Sequence, residues 1–212
     1  MRRLGQYDER VKWCVLAFFL GLAACGSAPK PLVYPELAEY MPPGSVALAG
    51  IDLDRLRTTP FFAKLPDPFR EGSYALIGYA GAELVVASRV GSRVVVSGRA
   101  VRGNPPALLQ YASAAPIWIV ARGDAALPLT GNLTNLTRLL QQTEYTTVTA
   151  QVGERVDLAI RGVCRTPDGA QHLEDNARAI ASLMKLPLDV RRDGAIVHAT
   201  GSISTDAAAK LF

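Results

Sequence analysis

Residues 74–101 read YALIGYAGAELVVASRVGSRVVVSGRAV, and this stretch decides the fold. It contains three runs rich in β-branched and aromatic residues, which are separated by pairs that contain glycine: Tyr74–Ala80, Glu83–Val90 and Arg93–Val101. Such runs predict consecutive strands, and the Gly91-Ser92 pair between the last two is typical of a two-residue hairpin loop of type II′. The stretch therefore predicts an antiparallel sheet.

The second half of the chain repeats this order of elements at an offset of 71 residues. The strand predicted over Ser45–Ile51 then corresponds to the strand predicted over Ile117–Ala121, and Tyr74 corresponds to Tyr145. Each half reads strand, helix, strand, strand, with a further helix after the run of strands, which is the order of ferredoxin-like domains. We therefore expect an α+β fold of two related strand–helix–strand–strand units, over 44–114 and 115–212. Their mainly antiparallel sheets would lie side by side or face each other.

Helices are predicted between these strands. Asp52 or Asp54 would open a short helical stretch after the first strand, because an aspartate before a helix can cap its free N–H groups. Thr166-Pro167-Asp168 combines a capping hydroxyl, a proline in the first turn and an acid near the positive end of the helix dipole. The helix that follows would place one apolar stripe against the sheet, made of Ala170, Leu173, Ala177, Ile180 and Met184. Leucines also recur at helical spacing later in the second half, at Leu133, Leu136, Leu139 and Leu140.

Asp193-Gly194 is a strong signal for a two-residue hairpin turn between the last two strands. A turn at these two residues would place Asp189 directly opposite His198 on the solvent face. We expect the two side chains to form a modest surface pair of about 0–1 kcal/mol. The apolar residues of this hairpin would share the other face: Leu188, Val190, Val197 and Ala199.

The N-terminal residues carry a different signal. A charged segment precedes the apolar run Trp13–Leu22, which would span only ~15 Å as a helix and is too short to cross a bilayer. The run ends in Leu22-Ala23-Ala24-Cys25, and these four residues resemble the lipobox of bacterial lipoproteins. An ordinary cleaved signal peptide that ends in cysteine, or an uncleaved anchor, is the alternative interpretation.

The resemblance implies that residues 1–24 are removed as a signal peptide and that Cys25 becomes acylated. Several acyl chains would hold the protein durably at a membrane, with residues 25–43 as an acylated tether. Gly26 and Ser27 follow the cysteine, where an aspartate retains many such proteins at the inner membrane. The resemblance therefore implies a bacterial cell-envelope lipoprotein at the outer membrane, facing the periplasm.

Removal of the leader changes both the charge and the cysteine count. Four basic and two acidic residues leave with it, so the formal net charge falls from +4 to +2, and an exported protein has little reason to bind nucleic acid. Cys14 would leave with the leader and Cys25 would be acylated, so Cys164 would be the single free thiol. This count excludes a disulfide framework and a thiolate metal cluster. Cys164 continues the apolar alternation of its strand, so we expect it to be buried and inert.

Candidate catalytic residues are few, and we predict no cofactor, no metal site and no catalytic residue. His172 would lie on the solvent-exposed face of the long helix. The sequence around it lacks the second histidine of a zinc-protease motif. Ser182-Leu-Met-Lys185 has the spacing of penicillin-recognising enzymes, but their companion motifs are absent from the sequence.

Acidic and amide side chains offer two further candidate sites. Asp52, Asp54 and Asp124 follow corresponding strands and could serve a metal or general acid–base chemistry, but helix capping, which needs no ligand, is the favoured explanation. Asn132 and Asn135 match the glycosylation sequon, which a bacterial lipoprotein does not use.

Beyond the lipobox, the segments Gly50–Arg57 and Gly131–Leu136 resemble lipoproteins of soil bacteria that have no assigned function. The residues themselves favour a non-enzymatic binding or scaffold module, anchored in the envelope, that binds a partner protein or a cell-wall component. The alternative is a carrier of a lipid or other apolar ligand in a groove between sheets, because residues 84–96 are largely apolar on both faces. An envelope hydrolase is the third possibility.

Overall fold

The computed structural model describes residues 32–65, 70–99, 102–125, 140–183 and 185–209. Nine strands are described: β1 (Ala47–Ile51), β2 (Tyr74–Ala80), β3 (Glu83–Val90), β4 (Arg93–Ser97), β5 (Ile117–Arg122), β6 (Thr143–Val152), β7 (Arg155–Cys164), β8 (Leu188–Asp193) and β9 (Ile196–Ser204). The α-helices are α1 (Pro35–Ala38), α2 (Leu53–Leu56), α3 (Pro167–Leu183) and α4 (Thr205–Ala209). Two 3₁₀ helices cover Phe62–Lys64 and Ala107–Tyr111. No helix in these ranges is long and apolar enough to cross a membrane.

All nine strands belong to one sheet, with the order β4-β3-β2-β1-β5-β6-β7-β9-β8. Every neighbouring pair is antiparallel. The expected α+β fold with mainly antiparallel strands is therefore confirmed. Of the two expected arrangements, the one with facing sheets is wrong, because β1 and β5 pair edge to edge and join the halves into one sheet. A ferredoxin-like order is not confirmed, since β1 pairs with β2 instead of being separated from it by another strand.

The two halves meet at a central seam between β1 and β5. Ala49 of β1 lies opposite Ile77 of β2 on one side and opposite Ile119 of β5 on the other. From this seam the strands run outward in matching order, with β2 and β3 on one side and β6 and β7 on the other. Strands that the sequence pattern relates therefore lie at corresponding distances from the centre of the sheet.

The hairpin signals of the first half are confirmed. Val90 lies opposite Arg93, so Gly91 and Ser92 form a two-residue loop. Gly91 adopts a φ of 58°, which an L-residue adopts only with strain and which the first position of a type II′ turn requires.

The last hairpin differs from the prediction by one loop position. Asp193 pairs with Ile196, so the loop is Gly194-Ala195 and not Asp193-Gly194. Gly194, with a φ of 57°, takes the first loop position because its backbone tolerates the left-handed region. The predicted Asp189–His198 pair is therefore wrong.

Each residue of the last hairpin has a partner two positions away from the predicted one. Arg191 lies opposite His198, and Asp189 lies opposite Thr200. Asp189 instead forms an ion pair with Arg191 at 2.7 Å. A shift of two residues keeps every side chain on its face, and Val190, Val197 and Ala199 are buried as predicted.

We define the front face of the sheet as the one that carries Leu48 and Trp118. In the first half, α1 and Met41 pack on this face and form a core cluster with Leu48, Trp118 and Val120. The buried Trp118 indole Nε1 donates a hydrogen bond to the Tyr74 hydroxyl at 3.1 Å. The Tyr74 hydroxyl in turn donates to the Leu32 carbonyl oxygen at 3.1 Å. These two hydrogen bonds link Leu32, the first described residue, to the core of the front face.

The opposite, back face carries two further core clusters. Residues of α2 and of the loop after it, Leu53, Leu56, Phe61 and Leu65, pack on both sides of the seam against Ala75, Ile117 and Ala150. The long helix α3 covers the outer strands of the second half, where Ala170 and Leu173 contact Val190 and Val197. Thr166 Oγ1 accepts a hydrogen bond from the Gly169 N–H at 3.0 Å, so the predicted start of this helix is confirmed.

Candidate functional site

The front face of β7, β9 and β8 is open, because the helices that contact these strands, α3 and α4, contribute to core clusters of the back face. The side chains that alternate onto this surface are mostly polar: Asp157, Arg161, His198, Thr200, Ser202, Asp189 and Arg191. Arg161, His198 and Arg191 lie directly opposite one another on β7, β9 and β8. Their Cβ atoms are therefore about 4.5–5.5 Å apart from strand to strand, which makes a basic row across the sheet.

A cleft of about 300 Å³ lies beside this surface, between the 3₁₀ helix Ala107–Tyr111 and the ends of β5 and β6. It contains a stacked pair of rings, Tyr111 and Tyr145, whose centroids are 4.2 Å apart at an angle of 27°. Arg161 Nη1 donates a hydrogen bond to the Tyr145 hydroxyl at 2.9 Å. The cleft and the basic row are therefore physically continuous through Tyr145 and Arg161.

The Arg122 guanidinium of the cleft is held by a neighbouring carboxylate. Arg122 donates through Nε to Asp124 Oδ1 at 2.9 Å and through Nη2 to Asp124 Oδ2. This guanidinium lowers the pKa of the Asp124 carboxyl below its ordinary value. Ser45, which also lines the cleft, donates its hydroxyl to the Pro42 carbonyl oxygen at 2.6 Å. The cleft thus presents ring faces and paired polar groups, an arrangement that suits binding by hydrogen bonds and stacking.

The acidic candidates are not brought together. Asp52 caps α2, since its carboxylate accepts a hydrogen bond from the Arg55 N–H at 3.2 Å, and Asp54 forms an ion pair with Arg57 at 3.4 Å. Because β1 and β5 are antiparallel, Asp124 lies at the other end of the seam, about 17–20 Å away by strand length. The described residues contain no group of three or more His, Cys, Asp or Glu that could hold a metal ion.

The remaining candidates have structural explanations. His172 is exposed on α3, as the sequence predicted. Lys185, with a φ of 52°, donates its backbone N–H to the Ser182 carbonyl oxygen at 3.1 Å, and the Leu186 N–H bonds to the Ala181 carbonyl oxygen at 2.8 Å. This pair of bonds is the Schellman motif that ends a helix, so Ser182 and Lys185 form a helix terminus.

Cys164 is 4% exposed, so its predicted burial is confirmed, and burial raises the pKa of its thiol. Several other residues named from the sequence lie outside the described residues: Cys14, Cys25, Asn132, Asn135, Met184 and three leucines of the predicted helix in the second half, Leu133, Leu136 and Leu139.

The sequence did not reveal the cleft, because Tyr111 and Tyr145 come from different elements 34 positions apart. One signal was nevertheless present. In Tyr145-Thr-Thr-Val-Thr149, the positions on one face of the strand, Tyr145, Thr147 and Thr149, are all polar or amphipathic, while the other face carries Thr146 and Val148. This alternation is typical of a strand with one face toward solvent.

We compared the chain with protein-family models, curated proteins and solved structures, and none of these comparisons gave a match.

Proposed function

We propose that the chain is a cell-envelope lipoprotein, anchored through acylated Cys25, that acts as a non-enzymatic binding or scaffold module. Its docking surface is the open front face of β7, β9 and β8 together with the Tyr111–Tyr145 cleft. The partner is a protein or a cell-wall component that offers hydrogen-bonding groups. The observation that supports this proposal most directly is the open polar surface itself, where Arg161, His198 and Arg191 form one row.

The chemistry of this surface favours binding over turnover. Arginine and tyrosine are the residue types that concentrate binding energy at protein interfaces, because they combine large contact area with hydrogen bonds. Among the residues that line the cleft, the Ser45 hydroxyl and the Arg122 guanidinium already have intramolecular partners. A general base in hydrogen-bond contact with a nucleophile, as covalent catalysis requires, is not present in this described lining.

The lipid-carrier alternative receives less support. That alternative needs an apolar groove between two sheets, whereas the nine described strands form one sheet. The described cleft is lined by Arg122, Glu144, Gln110 and tyrosines in addition to apolar residues. Such a lining orients a polar or amphipathic partner better than an acyl chain.

We also propose that the two halves are copies of one strand–helix–strand–strand unit. The matching order of strands outward from the β1–β5 seam supports this relation. This relation predicts a helix over residues 126–139, between β5 and β6, as α2 lies between β1 and β2. A strand in that segment would contradict it.

Anchoring is tested with the full-length protein expressed in a bacterial envelope. Intact-mass analysis of the membrane fraction should show the loss of residues 1–24 and the mass increment of acyl chains on Cys25. The Cys25→Ala variant should leave the membrane fraction once its leader is cleaved. Cleaved Cys25→Ala protein that stays membrane-bound would contradict the proposal.

Binding is tested by affinity capture from envelope membranes, with mass spectrometry of both proteins and lipids. Arg191→Glu reverses a charge in the basic row, where the side chain is 80% exposed, so the fold should tolerate the change. Arg99→Glu reverses an exposed charge in the first half and serves as the matched control. A partner lost with Arg191→Glu and kept with Arg99→Glu supports the docking surface. Equal capture by both variants contradicts it, and enrichment of lipid alone favours the carrier.

A further inference from the structure

The two edges of the sheet differ in their side chains. One edge is β8, Leu188-Asp-Val-Arg-Arg-Asp193, in which four of six residues are charged. The other edge is β4, Arg93-Val-Val-Val-Ser97, which pairs with β3 and with no other described strand. Charged side chains on an edge strand prevent further strand pairing, whereas an apolar edge favours it. Within the part of the chain that the structure describes, the sheet is therefore protected at β8 and not at β4.

The side chains of β4 are apolar on both faces of the sheet. Val94 and Val96 lie on the front face and are half-buried against the front cluster. Val95 lies on the back face and is 54% exposed, and Leu84 of the adjacent strand is exposed to the same extent. An added strand would cover Val95 and pair the outer backbone N–H and C=O groups of β4.

We propose that β4 is a self-association edge, where two copies of the chain pair antiparallel and extend the sheet across both molecules. A strand that overlaps itself fully in antiparallel register must be centred on its middle residue, Val95. Val95 then lies opposite Val95 of the second copy, Val94 opposite Val96, and Arg93 opposite Ser97. Like charges do not meet at any of these positions, and three of the five cross-strand pairs are β-branched.

This pairing closes the assembly at two copies. The interface is the same strand on both molecules, related by a two-fold axis perpendicular to the sheet, so each copy uses up its apolar edge. The axis keeps the front faces of both copies on the same side. Leu32, whose carbonyl oxygen is bonded to Tyr74 in the front-face core, therefore starts both described chains on that side.

The test uses cysteine cross-linking of the full-length protein in its membranes. Val95→Cys places two thiols directly opposite each other, at a separation that a disulfide can bridge. Ser97→Cys is the matched control, because Ser97 would lie opposite Arg93 and four positions away from its own copy. Asp189→Cys tests the β8 edge, and the unmodified protein reports any cross-link through native cysteines.

After mild oxidation, a non-reducing gel should show a disulfide-linked homodimer for Val95→Cys and monomer for Ser97→Cys, Asp189→Cys and the unmodified protein. Val95→Cys that stays monomeric overturns the proposal. If Ser97→Cys cross-links as well as Val95→Cys, the cross-links arise from random collision. If Val95→Cys cross-links to a different protein, that protein and not a second copy occupies the β4 edge. Either result overturns the proposal. In detergent, Val95→Lys should shift the sedimenting species from dimer to monomer, while His172→Lys, which adds a positive charge on the exposed face of α3, should leave it unchanged.

Discussion

The Tyr74 hydroxyl is the best single position at which to perturb the front-face core. Tyr74→Phe removes the acceptor of the Trp118 indole N–H, and Trp118 is 1% exposed, so water cannot replace the lost partner. A buried donor left without an acceptor costs about 1–3 kcal/mol. The second bond, to the Leu32 carbonyl oxygen, adds little to this cost because Leu32 is 51% exposed.

The same residue makes stability depend on pH. Burial raises the pKa of Tyr74 to about 12 from an ordinary value of 10.0, although the hydrogen bond from Trp118 opposes the shift. Between these two pH values the unfolded chain has released the proton while the folded protein still holds it. The contribution of the protonated Tyr74 hydroxyl to the unfolding free energy is therefore fully present below pH 10 and is lost as the pH rises from 10 to 12. A difference of about two pKa units corresponds to about 3 kcal/mol of unfolding free energy.

The assay is urea unfolding followed by Trp118 fluorescence, below pH 10 and near pH 12, for the wild type, Tyr74→Phe and Tyr79→Phe. Tyr79→Phe is the control. It removes a hydroxyl on the back face of the same strand, and the described residues provide no hydrogen bond to that hydroxyl. We expect the wild type and the control to lose stability over this range, and Tyr74→Phe to start lower and lose less. If the stability of Tyr74→Phe falls as steeply with pH as that of the wild type, the reasoning is refuted.

Three further predictions follow from backbone geometry and burial. Lys185→Gly should raise the unfolding free energy by about 1 kcal/mol in urea titrations, because glycine adopts the left-handed C′ conformation without strain; a lower midpoint would contradict the Schellman assignment. Gly50→Ala should lower it by about 1–3 kcal/mol, because a Cβ would overlap Trp118 Nε1 and the Tyr74 hydroxyl; an unchanged midpoint would show that both side chains can move. Cys164 should react with a thiol reagent far more slowly in the native protein than in urea, because burial raises its pKa and blocks access; equal rates would place the thiol at the surface.

The hairpins of the first half could be predicted from the sequence because their signals are local. Gly91 marks a loop at the point where the apolar alternation restarts, and the predicted bounds of β2 and β3 agree with the structure. Gly194 shows the limit of such signals. A glycine with positive φ can occupy either loop position, so the dipeptide Asp193-Gly194 indicated the turn but not its register.

The single sheet could not be predicted, because the pairing partner of a strand is not encoded in its own pattern. Apolar residues on both faces of β1 predict a buried strand, but they fit an edge-to-edge seam as well as two sheets that face each other. The cleft could not be predicted for the same reason. Tyr111 reaches Tyr145 only because the 3₁₀ helix Ala107–Tyr111 packs against β1 and β5, which is a tertiary contact.

The β1–β5 seam has a consequence for how the chain folds. The hairpins β2–β3–β4 and β6–β7 close over loops of a few residues, whereas Ile51 meets Ile117 only after most of the first half has been synthesised and looped back. Loop-closure entropy delays such pairings relative to local ones. Two core clusters are completed only across the seam, since Leu48 packs with Trp118 on the front and Leu53 with Ile117 on the back. Neither half therefore completes its hydrophobic core without the other. If the chain were cut between the halves, we expect the two fragments to fold only when they associate.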